Sequence, residues 1–187
     1  MNRIVCSVIF VAVFSFALFA QAPAPVAPPK TDGAMTANPV ATSLRAMLGR
    51  FQTNTIGAIT AMPADKFGYK PTPDQITFGH LAAHIAEANY NFCAAVGGVA
   101  LPKVEAKDSD PKDTLLAAAK ASFDFCGDAL SKMDDSKLGE QVDLFGGKTT
   151  RAGAVLRLAS AWADHYGAAA MYLRLNGILP PSAQGKK

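Results

Sequence analysis

Histidine and cysteine are scarce in this chain of 187 residues, with three of each. No Cys-x-x-Cys pair occurs, which removes thioredoxin-like redox chemistry and the common zinc ribbons. The sequence also lacks a G-x-G-x-x-G after a strand, a P-loop and a G-x-S-x-G, the marks of dinucleotide binding, phosphate cradling and a nucleophile elbow. Net charge is only +3. The Lys and Arg residues are scattered without aromatic interleaving, so no nucleic-acid partner is expected. No stretch alternates apolar and polar residues persistently enough to read as a sheet. Gly146-Gly147 in DLFGGKTT reads as a turn before a helix, with Thr149 or Thr150 as its cap, rather than as a phosphate cradle.

The N-terminus has a pattern of its own. Arg3 precedes an apolar run over 4–20 rich in Val, Phe and Ala, and Ala20-Gln21-Ala22 follows. A basic start, an apolar core and an A-x-A site make a secretory signal peptide, assigned to 1–22. The run approaches the length of a membrane span, so an uncleaved anchor is the alternative. Cys6 lies inside the run with no lipobox after it. Residues 23–37 are Pro- and Ala-rich and lack an apolar period, as an extended linker does. Residues 38–182 then form one domain, with a short tail at 183–187. The expected localisation is periplasmic or secreted, with no stable membrane association after cleavage.

Four stretches of that domain repeat apolar residues at steps of three and four, at about 39–62, 77–96, 111–133 and 150–176. Asn38 and Asp110 are candidate N-caps for the first and third, and Gly97-Gly98 ends the second. Four amphipathic helices in one chain of this size make an all-α fold, a four-helix up-and-down bundle. The connection at 63–76 is too long and Pro-rich for a tight hairpin and is expected to cross the bundle.

An exported protein matures where disulfides persist. Cys93 near the end of the second helix and Cys126 in the third would meet if those helices are antiparallel neighbours; two buried thiols are the alternative.

His80 and His84 lie one helical turn apart in TFGHLAAHIAEANY, and His165 lies in the last helix. Imidazoles at i and i+4 project from one side of a helix, so all three nitrogens can converge on a metal ion if the two helices pack together. The competing reading is hydrogen-bonded histidines at the core or its rim.

The succession MPADKFGYKPTPDQITFGHLAAHIAEANYNFC, followed downstream by ADHYGAAAMYLRLNGILPPS, resembles the DinB/YfiT-like superfamily of four-helix-bundle metalloenzymes from about residue 38 to 182. The resemblance implies a bundle holding a divalent metal, zinc or nickel, on three histidines. Some relatives use that metal to activate a low-molecular-weight thiol. His84 matches the family's histidine on the second helix, and His165 matches the last member of its H-x-x-x-H pair on the fourth. The first member of that pair falls at Ala161, which cannot ligate. His80 is the nearest residue to complete the set, with Glu87 and Asp164 behind it.

Two functional classes follow. One is a metal-dependent hydrolase or thiol-transferase whose open coordination position activates water or a thiolate. The other is an exported bundle that has lost its metal and binds a small ligand or serves structurally. Oligomeric state, substrate and catalytic base are not legible in the sequence.

Overall fold

The structure is a computed structural model that describes residues 36–103 and 106–185. The signal peptide, nearly all of the linker and the last two residues of the tail lie outside them. The elements are helix α1 (Pro39–Ala61), helix α2 (Phe78–Gly97), helix α3 (Lys112–Ser131), strands β1 (Gln141–Leu144) and β2 (Gly147–Thr150), and helix α4 (Arg151–Leu175). The four helices form a bundle around Leu44, Ile59, Phe78, Ile85, Leu115, Phe123, Leu130, Leu158, Trp162 and Leu173, all essentially removed from water. Among the described residues no helix is long and apolar enough to cross a membrane.

Side-chain contacts fix the helix directions. Arg45 near the start of α1 donates from Nη1 to Leu130 O and Met133 O, and Lys112 at the start of α3 donates to Thr60 O and Met62 O. Start meets end at both ends, so α1 and α3 are antiparallel. Along α2 and α3, Asn89 meets Ser122 and Cys93 meets Cys126, each 33 residues apart. A constant offset means that these two helices run parallel, not as the antiparallel neighbours expected for the cysteines. Between α2 and α4, Arg151 reaches Ala95 and Val96 while Tyr172 reaches Ile76, so this pair is antiparallel. The directions in chain order are up, down, down, up, so the bundle does not alternate throughout as the expected up-and-down arrangement would.

Helix α1 packs on α3 and α4 and lies diagonal to α2. The 63–76 connection therefore spans the end of the bundle, as its length suggests. A parallel pair also requires the chain to return to the end at which it began. Asp108 accordingly lies against Gly79, where an added Cβ would come within 2.8 Å of the Asp108 carbonyl.

Local signals explain both ends of α2 and the start of α4. The Thr77 and Thr150 hydroxyls accept from the His80 and Gly153 N–H groups and cap α2 and α4. Gly98 takes the left-handed conformation that closes α2, and Arg151 donates to the carbonyls of Ala95 and Val96 beside it. Two expected caps differ. Asn38 is itself left-handed and leaves its helix uncapped; Asp135, far along the chain, accepts from Val40 N and Ala41 N at 2.8 Å each. Asp110 accepts from Lys107 N instead of capping α3.

The hairpin β1–β2 is the element that the periodicity did not reveal. Its strands have four residues each, and only Val142 and Leu144 turn inward. Two buried positions are too few to register as an alternation. The turn is Phe145-Gly146 rather than Gly146-Gly147, and both residues have positive φ, 50° and 74°. Two-residue hairpin turns of the I′ type require this, and their usual sequence is Asn-Gly.

The Cys93–Cys126 disulfide joins α2 to α3 with the Cα atoms 5.1 Å apart. Beside it, buried Asn89 donates from Nδ2 to Ser122 Oγ (3.0 Å) and accepts from Trp162 Nε1 (2.9 Å), tying three helices together.

Two outcomes follow for stability. Cys93→Ala/Cys126→Ala should lower the unfolding free energy by about 3–4 kcal/mol, the chain-entropy value for a loop of this length, as read by urea titration. Asn89→Ala strands the buried Trp162 N–H without a partner and removes the donor to Ser122, whose hydroxyl keeps only its bond to Ala119 O. It should cost about 3 kcal/mol in the same titration.

Candidate functional site: a two-histidine cleft between α2 and α4

The antiparallel α2–α4 pair sets two of the three histidines against each other. The His84 and His165 rings stand 5.0 Å apart between centroids and nearly perpendicular, at 78°. They open into a cavity of about 530 Å³ lined also by Ala88, Phe92, Phe145, Arg157, Ala161 and Asp164. His84 is exposed, whereas His165 is only 8 % exposed. Ala161 lies one turn before His165 on the same helix, so its methyl group faces the space where a third imidazole would stand.

His80 is held elsewhere. Its ring Nδ1 lies 2.9 Å from Asp108 Oδ2, on the connection that returns to the start of α2. A backbone hydrogen bond and then the His80 ring keep the Asp108 carboxyl below its ordinary pKa. The parallel α2–α3 arrangement brings this connection past the first turn of α2, which is why His80 finds a carboxylate before it reaches the cleft. Glu87 is exposed and does not line the cavity; Asp164 lines it.

The His165 ring is electrostatically unusual. Burial is the first cause, and the neighbouring His84 the second, that lower its pKa from 6.5 to about 4, against an opposing pull from Asp164. Its Nδ1 is buried without a hydrogen-bond partner. The cleft thus presents an imidazole that is neutral near pH 7, with its Nδ1 turned away from solvent.

A model of the DinB superfamily matches residues 47–169, which contain both cleft histidines. The chain belongs to the DinB superfamily. Its fold is similar to that of a DinB-like protein from Bacillus cereus ATCC 10987, with a TM-score of 0.62 and 18% identity over 75% of this chain and 95% of that one. A DinB-like protein from Bacillus subtilis aligns equally well, at 0.62 and 19% identity over 76% and 99% of the two chains. At that identity the likeness concerns the fold. No curated protein matches the chain.

The family's metal can be tested against the donor atoms present. A catalytic zinc takes three protein ligands and keeps one position open, and its ligating histidines are oriented by a hydrogen bond from the far ring nitrogen. Here two imidazoles meet, the third position is Ala161, and His165 Nδ1 has no orienting partner. Among the described residues no three His, Cys, Asp or Glu side chains are grouped to hold an ion. The donor set falls one ligand short of a resident metal.

The His165 shift predicts a pH dependence. Above pH 6.5 the ring is neutral folded or unfolded. As pH falls from 6.5 toward about 4, the unfolded chain takes up a proton that the native ring refuses, so stability is lost through that window. The loss should reach about 3 kcal/mol at most. Urea titrations at pH 7 and pH 4.5 should show it in the native protein and not in His165→Gln.

Proposed function

We propose that this DinB-superfamily protein is an exported binding protein whose α2–α4 cleft takes a small organic ligand at the family's metal position, without a resident metal. The observation that carries the reading is the His84–His165 pair in a cavity of about 530 Å³, with Ala161 where a third ligand is needed. Two imidazoles hold a divalent ion weakly, while one neutral buried ring and one exposed ring suit hydrogen bonding to a ligand's polar group. No metal-dependent hydrolase or thiol-transferase step is assigned to the cleft.

Export is supported by the signal pattern over 1–22 and by the Cys93–Cys126 disulfide, which persists in an oxidising compartment. Outside the cell the protein is also removed from the cytosolic thiol pool that thiol-transferase chemistry draws on.

Metal analysis tests the reading. Protein purified without chelator should carry far less than one zinc or nickel ion per chain. Ala161→His supplies the missing imidazole one turn from His165, and zinc affinity should rise roughly a hundredfold, the contribution of one ligand in tetrahedral sites. A tightly held stoichiometric ion in the native protein would overturn the proposal. Its loss in Asp164→Asn would then identify a His84–His165–Asp164 site.

A further inference from the structure

Phe145 is a poor residue for the place that it occupies. It sits in the left-handed region, φ 50°, at the first position of a two-residue turn where asparagine is favoured. A bulky side chain there costs on the order of 1 kcal/mol or more. Its ring is 61 % exposed, so burial in the core does not repay that cost.

What the ring does instead is form a wall shared by two cavities. On one side it stands edge-on to Phe92, with centroids 5.0 Å apart and an angle of 85°, at the end of the histidine cleft. On the other it lines a cavity of about 430 Å³ between α2 and β1, with Ala94, Val99, Leu101 and Leu144. Val99 and Leu101 are exposed large apolar residues. The two spaces differ in chemistry. The first is rich in donors, with the Arg157 guanidinium, the Ser160 hydroxyl and the two imidazoles set against a single carboxylate, Asp164. The second is predominantly apolar, with Asn91 and Asp143 as its polar side chains.

We propose that the two cavities together bind an apolar-tailed monocarboxylate, its head against Arg157 and the His84–His165 pair and its tail across Phe145 toward Leu101. The proposal rests on reading the cleft as a metal-free ligand site, and it adds the class of ligand. An anionic head complements the guanidinium and can accept from the imidazole N–H groups and Ser160. The tail gives Phe145 a reason to be aromatic, exposed and left-handed at once. Asp164 opposes the head, so its charge should be felt as an inhibitor of binding.

The probes are hexanoate, octanoate, decanoate and octanol, titrated calorimetrically into EDTA-dialysed protein below their micellar concentrations. Affinity should rise roughly two- to fourfold per methylene from hexanoate to decanoate, the gain expected for a tail buried on one side. Octanol should bind at least about tenfold more weakly than octanoate, the value of one charge-assisted contact. Arg157→Gln should weaken octanoate and Asp164→Asn should tighten it. Phe145→Asn is the decisive variant, because it relieves the turn: the melting temperature should rise while decanoate affinity falls about tenfold. Equal binding of octanol and octanoate, no dependence on chain length, or undiminished decanoate affinity in Phe145→Asn would each overturn the proposal. Because the protein is stripped of metal, these outcomes do not depend on the metal analysis. A native protein holding stoichiometric zinc would sink the metal-free reading whatever the fatty acid results.

Discussion

The side chain of Asn89 is the contact on which the arrangement of the helices rests. It is buried, and an amide with unmet hydrogen bonds inside a bundle is costly, so its two partners are effectively compulsory. Ser122 on α3 takes its N–H and Trp162 on α4 supplies its own. These two bonds choose one register for each neighbouring helix out of the several that apolar packing alone would tolerate. The Cys93–Cys126 bond lies one turn further along α2 and repeats the same offset to α3. His84 lies five residues before Asn89, and His165 three after Trp162. Once the amide is paired, the two imidazoles have no choice but to meet.

The same constraint separates what could be read in the sequence from what could not. The four helices were legible because each repeats apolar residues over many turns, and observed ends such as Phe78–Gly97 and Arg151–Leu175 fall within a residue or two of the periodic stretches. The cysteine pairing was legible from composition and the expected compartment, but not its geometry. A 33-residue separation joins parallel helices as readily as antiparallel ones, and nothing local distinguishes the two cases. The Asp135 cap on α1 was invisible because capping rules describe neighbours in sequence, and this carboxylate arrives from more than ninety residues away. The hairpin escaped because four-residue strands with two inward side chains carry no measurable period.

The site divides along the same line. His84 and His165 could be paired from helix spacing and family resemblance, and the absence of a ligand at 161 was plain in the sequence. The alternative role of His80 was not, since Asp108 reaches it only through the return that parallel α2 and α3 impose. Phe145 was missed altogether. Its one sequence signal was an aromatic residue before Gly-Gly, where a turn-former was expected, and that signal has meaning only once the positive φ is known.

Losing one ligand changes what the remaining two can do. In a three-histidine site the metal takes up an imidazole lone pair, and its charge governs the cleft. Alanine at 161 supplies no ligand, and burial first, then His84, lower the His165 pKa to about 4 against the pull of Asp164. An imidazole kept neutral beside an exposed one can recognise a polar group by hydrogen bonding but has no cation behind it to polarise a substrate. The nearest permanent positive charge lining the cavity belongs to Arg157, on the solvent side of α4. On the proposed metal-free reading, the cleft is better suited to hold an anionic group than to react with it. On the same reading, the Phe92–Phe145 pair at its far end contributes contact area instead of excluding water from a reaction.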